Sequence, residues 1–144
     1  MAWTMRRSAT IQLRRPAAPA MALFTPEGER AWAGPDWDPH YPAPDRTLGE
    51  GAVFLTEGDR ATTVWVMVEH QPNRVRYVRV TPEVYAGSVT VGVVESGADD
   101  CRVEVTYDLT ALSQDGASTL DRFGADYDTD IEGWATAINA ATEG

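Results

Sequence analysis

In residues 117–141 the side chains Leu120, Phe123, Tyr127, Ile131, Trp134 and Ile138 follow one another at steps of three or four. That spacing puts all six on one side of an α-helix. The opposite side carries Asp121, Asp128, Glu132 and Asn139, a set that belongs in water. Asp115 and Gly116 interrupt the chain just before the stretch, and no proline falls inside it. The expectation is one amphipathic helix of roughly 25 residues, about 37 Å long. A stripe that long and that aromatic requires a broad apolar partner, and the segments before it read as a sheet.

From Gly51 onward the periodicity is two. Runs 52–57, 62–70, 74–81, 87–95 and 101–112 are rich in β-formers, and the residues between them are short clusters of turn formers such as Glu57-Gly58-Asp59 and Gln71-Pro72-Asn73. Connections this short join antiparallel neighbours, since a parallel crossover needs a dozen or more residues. In the last run Val103, Val105, Tyr107 and Leu109 alternate with Arg102, Glu104, Thr106 and Asp108, which predicts one buried face and one wet face.

Ahead of this meander, residues 3–14 alternate as a first strand ended by Pro16 and Pro19. Residues 20–24 read as a short helical turn. Thr25-Pro26-Glu27-Gly28-Glu29-Arg30 reads as a second helix start, with Thr25 as N-cap, Pro26 at the first helical position and acids in the first turn. Residues 34–51 hold four prolines among Trp37, His40 and Tyr41, the composition of an ordered loop rather than a linker. Such a loop is either a lid over a site or a plug for one end of the core. A strongly twisted sheet curls, and a long helix across its concave side leaves a cavity beneath it.

Composition narrows the function. With 144 residues, 43% hydrophobic and 24% charged, the chain is expected to form one domain spanning 1–144. A net charge of −10 argues against nonspecific nucleic-acid binding and against adhesion to an anionic membrane. Arg6, Arg7, Arg14 and Arg15 form only a small basic cluster, read as a solvated strand end. Cys101 is the single cysteine, so no internal disulfide or multi-cysteine metal site is expected, and its place in an alternating run marks it as a small buried residue. Neither an export signal nor a stretch for stable membrane insertion is recognisable, and the expected location is cytoplasmic. No cofactor and no metal site is expected. His40 and His70 lie on different elements, and Glu69 beside His70 on a strand points to the other face. The composition allows a homodimer.

The order of elements, with Leu23-Phe24-Thr25-Pro26-Glu27-Gly28-Glu29-Arg30 after the first strand, then Trp37-Asp38-Pro39, Val75-Arg76-Tyr77-Val78-Arg79-Val80-Thr81-Pro82 and Val105-Thr106-Tyr107-Asp108-Leu109-Thr110-Ala111-Leu112, resembles the START-like or SRPBCC superfamily. The likeness covers nearly the full chain. It implies an α+β helix-grip fold: a curved antiparallel sheet of six to seven strands wrapped around a long C-terminal helix, with two short helices after the first strand. The superfamily includes polyketide cyclases, lipid-transfer START domains and the Bet v 1 group, so the resemblance is specific for fold and broad for activity.

Candidate residues for the cavity wall are Trp37, Tyr41, Trp65, Met67, Tyr77, Arg79, Tyr107, Phe123 and Tyr127, mostly large aromatics with a few polar tips. Arg79 stands either on the outer face in solvent, the simpler reading, or inward as a cation for a ligand carboxylate or enolate. Both alternating sets of residues 74–81 are mixed, so periodicity does not choose. No committed catalytic pair is visible. The leading expectation is a binding protein for a small hydrophobic or aromatic molecule, lipid- or polyketide-like. The alternatives are a cyclase or aromatase-type enzyme using pocket Tyr, Arg or His, and an interaction module of co-chaperone type.

Overall fold

The computed structural model describes residues 3–58 and 61–143. Its elements are β1 (Thr4–Leu13), α1 (Ala17–Ala22), a single 3-10 turn (Gly28–Ala31), β2 (Val53–Glu57), β3 (Thr62–Gln71), β4 (Arg74–Thr81), β5 (Tyr85–Ser96), β6 (Cys101–Ala111) and α2 (Gln114–Glu143). The six strands form one antiparallel sheet in the order β1-β6-β5-β4-β3-β2. Residues β2 through β6 are the meander that the short turns predict, although Asp59 of the first turn lies outside the described residues. Sequence spacing did not place β1. It closes beside β6, in register from Thr4 opposite Thr110 to Leu13 opposite Cys101.

Two bulges interrupt the ladders, between Met67 and Glu69 and between Val93 and Glu95. Each adds a residue to one strand and bends it, which increases the curl of the sheet. Inward along β6 point Cys101, Val103, Val105, Tyr107, Leu109 and Ala111, all buried, as the alternation predicts.

Helix α2 runs 30 residues, longer than the stretch marked by its apolar stripe. The reason lies at its start, where Ser113 is the cap: its Oγ accepts the N–H of Gly116 at 3.0 Å. Asp115 and Gly116 are therefore the first turn of the helix and not a break before it. Gly116 has a second role, since a Cβ there would be driven into the carbonyl oxygen of Val84. Leu120, Tyr127, Ile131 and Ile138 are fully buried, and the helix packs mainly on β1 and β6. Asn139, expected in water, instead ties the two elements together: its Oδ1 accepts the Arg14 N–H at 2.9 Å and its Nδ2 donates to the Gln12 carbonyl at 3.2 Å. Because α2 covers one side of the concave face, the inner faces of β2 to β5 are left over a hollow.

The first helical segment is Ala17–Ala22, earlier than expected, because Pro16 starts it as an extended cap and Ala20 and Met21 are its buried residues. Thr25 caps the next turn, its Oγ1 accepting the Gly28 N–H at 3.0 Å. That turn closes as one 3-10 loop rather than a full helix. Among the described residues no helix is long and apolar enough to cross a membrane.

Candidate functional site

The hollow is a cavity of about 1010 Å³ walled by β2 to β6, the 3-10 turn, the long loop and α2. One side is an aromatic cluster. Phe54 and Trp65 stack at 5.5 Å with planes 5° apart, Tyr77 meets both edge-on, and Trp37 meets both from the loop. The facing side brings Tyr107 from β6 and Trp134 from α2, whose rings are 6.2 Å apart. At one end Trp32 approaches Trp134 to 5.4 Å and Phe24 to 5.8 Å, so the turn and the helix meet through aromatic rings. Thr63 and Thr81 are buried in the wall and share a hydrogen bond of 2.7 Å.

Of the residues named from sequence, Trp37, Trp65, Tyr77, Arg79 and Tyr107 line this cavity. Four others lie elsewhere. Met67 is fully buried behind the wall. Tyr127 is turned into the core, where its hydroxyl donates to the Val105 carbonyl at 2.6 Å. Phe123, one helical turn away, lines a smaller adjoining cavity of about 400 Å³ together with Arg79, Tyr85 and Arg122. Tyr41 packs on Phe54 and donates to Glu27 Oε2 at 2.5 Å, on the outer side of the turn. The long loop divides the two roles considered for it: Trp37 forms wall, whereas Tyr41 anchors.

That anchor is a network. Arg30 donates to Glu27 at 2.9 Å, to Asp38 at 3.0 Å and to the Pro39 carbonyl at 3.1 Å, while Trp37 donates to the Pro26 carbonyl at 2.8 Å. The hydrogen bond from Tyr41, followed by that from Arg30, holds the Glu27 carboxyl below its ordinary range. His40 pairs backbone to backbone with Leu55, which leaves its exposed ring outside the cavity. His70 is exposed as well.

Arg79 points inward, against the outer-face reading. On β4 the buried set is Val75, Tyr77 and Thr81, and Arg79 shares their face because the strand has period two. Aromatic surface makes the position tolerable: its guanidinium carbon lies 4.3 Å from the Trp65 ring centroid and 5.1 Å from that of Tyr85. Nη2 donates to the Tyr85 hydroxyl at 3.2 Å, whereas the buried Nε has no hydrogen-bond partner.

Glu29, taken from sequence as a first-turn acid, is a cavity residue. It is half-buried in the cavity wall, and its carboxyl is desolvated there. Desolvation raises it to about 8, against the opposing pull of Arg79. Burial likewise pushes the Tyr107 hydroxyl up to about 12 and holds Tyr77 well above the ordinary phenol range. Tyr77 is fixed by donating to the Phe24 carbonyl at 2.5 Å. The sequence held one clue to Glu29: Glu27 has Arg30 three residues on and Glu29 has no such neighbour.

No family model matches the chain, and no curated protein matches it in sequence. Solved structures do match. Norcoclaurine synthase from Thalictrum flavum, in complex with dopamine and hydroxybenzaldehyde, superposes with a TM-score of 0.68 at 10% identity over 97% of this chain and 87% of that one. Zhui aromatase/cyclase from a Streptomyces species gives 0.68 at 14% identity, covering 97% and 94%. A protein from Arthrobacter aurescens gives 0.66 at 16% identity, covering 96% and 87%. At these identities the likeness is one of fold: the chain has the helix-grip fold of the Bet v 1-like and START-like proteins.

Proposed function

We propose that this chain binds a small hydrophobic or aromatic molecule, of lipid- or polyketide-like character, between its sheet and α2. The observation that carries this reading is the cavity itself, about 1010 Å³ with aromatic walls on two sides. Drug-sized ligands occupy spaces of about this size, and burying their apolar surface contributes about 25 cal/mol per Å². Its neighbours by fold include proteins described as an aromatase/cyclase and as a synthase bound to two aromatic compounds. A hollow left open gives no support to the interaction-module alternative.

Native mass spectrometry of protein purified from its own host tests the reading. The expected result is an added mass, released on activation, that is absent from a Val89→Trp variant filling the cavity. Bare masses for both proteins, with no thermal shift from a panel of aromatic and fatty compounds, would overturn it.

A second reading, an enzyme of the cyclase or aromatase kind, draws on the polar groups of the wall. Arg79 and Tyr107 would polarise a carbonyl while Glu29 holds or delivers a proton, a contribution of about 10²- to 10⁴-fold. Glu29→Gln separates the readings: it would abolish turnover in an enzyme and leave a carrier able to bind.

A further inference from the structure

Arg79 brings a full charge to a chamber with aromatic walls and makes no ion pair there. None of the ion pairs among the described residues includes it; its Nη2 donates to the Tyr85 hydroxyl, and it also interacts with the Tyr107 hydroxyl. Arg79 is half-buried, and its Nε, which is buried and unpartnered, is costly unless something completes its shell. The nearby acid does not: Glu29 acts on Arg79 through space but makes no ion pair with it.

We propose that the ligand is an organic anion whose carboxylate or other oxyanion pairs with Arg79, and that Glu29 carries a proton whenever that anion is bound. The proposal rests on the ligand-binding reading above and gives it a chemical class. Its logic is that of two acids brought together beside Arg79. In an enclosed site a second negative charge close to an ionised Glu29 is strongly disfavoured, so one of the two carboxyls must be neutral.

The other groups facing Glu29 support this assignment. Tyr77 from β4, Tyr107 from β6 and Tyr41 from the loop all interact with it, and burial keeps each of them neutral well past the ordinary range. Arg122 from α2 lines the same cavity but is exposed, and with Asp126 and Asp130, exposed as well, it lines the smaller adjoining cavity that Arg79 also borders; Glu57 lies on the exposed rim, where Thr62 donates to it. On its own turn, Arg30 is engaged by Glu27 and Asp38. Free Glu29 sits at about 8, so it is largely protonated at neutral pH and accepts an anion there without proton uptake. Above that pH each bound anion must bring in a proton.

Two dyes with one hydrocarbon frame test this on the intact protein: 1-anilinonaphthalene-8-sulfonate, an anion at all relevant pH, and neutral N-phenyl-1-naphthylamine. Binding is followed by dye emission and by energy transfer from tryptophan. The expected result is that Arg79→Met lowers the affinity ratio of anionic to neutral dye by about tenfold or more. Wild-type affinity for the anionic dye should fall by up to about tenfold per pH unit above pH 8, and Glu29→Gln should flatten that profile while the neutral dye shows no such fall. This second arm stands even if the Arg79 variant does not fold. Neutral dye bound with an unchanged ratio in Arg79→Met, or a pH profile unchanged by Glu29→Gln, would overturn the anion assignment alone. Neither dye bound by the wild type would overturn the binding reading and this one with it.

Discussion

The guanidinium of Arg79 lies over the face of Trp65, its Cζ 4.3 Å from the ring centroid, and the two residues are cross-strand partners on β4 and β3. Trp65 also donates its Nε1–H to Thr56 at 2.9 Å and stacks on Phe54. Trp65→Leu should therefore cost about 2–4 kcal/mol by urea unfolding, the sum of a cavity, a lost ring contact and a lost cation–π pair. Trp65→Phe keeps a ring beneath the cation and should cost about half as much. Equal losses in the two variants would show that Trp65 acts only by volume.

Glu29 predicts a pH-dependent stability with a definite sign. Its folded value of about 8 lies above the ordinary 4.5, so folding favours the protonated form. That contribution is complete below the ordinary value and is lost as pH rises toward 8. Wild type should lose on the order of 1–3 kcal/mol relative to Glu29→Gln across this window. Chemical denaturation of both proteins at several pH values reads the difference directly, and parallel curves would contradict the desolvation of this carboxyl.

Asn139 holds the end of β1 to α2 with two hydrogen bonds. Asn139→Ala leaves the Arg14 N–H and the Gln12 carbonyl without these partners and should cost about 1–2 kcal/mol. Amide exchange at Arg14 should accelerate, while dye binding in the cavity stays near wild type.

Gly116 lets the first turn of α2 pass against the Val84 carbonyl. Gly116→Ala should destabilise by about 2–4 kcal/mol despite its better helix propensity, because backbone and not a flexible side chain blocks the added methyl. A thermal melt decides it, since propensity alone predicts the opposite sign.

Tyr127 and Tyr77 both donate to buried carbonyls, yet only Tyr77 lines the cavity. Tyr127→Phe should cost about 1 kcal/mol in stability and leave ligand affinity unchanged. Tyr77→Phe should cost a similar amount and weaken binding as well, because it also frees the Phe24 carbonyl at the cavity wall. Isothermal titration with any bound compound separates the pair.

Local periodicity was enough to read the meander, the buried face of β6 and the stripe on α2. These follow from the geometry of single elements: two residues per repeat in a strand, between three and four in a helix. The turn formers between the strands also made them antiparallel neighbours. The pairing of β1 with β6 was not legible, because it joins residues about a hundred positions apart and no local spacing records it.

The site divides the same way. Large side chains on the faces of the strands marked Trp65, Tyr77 and Tyr107, but the same reading named Met67 beside Trp65 and Tyr127 on the long helix, which packing places in the core. On β4 both faces were mixed, so only the position of the strand within the curled sheet turned Arg79 inward. Glu29 became a cavity acid because Glu27 was drawn outward to Tyr41 and Arg30. Sequence determines which way neighbouring side chains alternate; the closing of distant segments around one space determines which of them face it, since that choice depends on what covers each face.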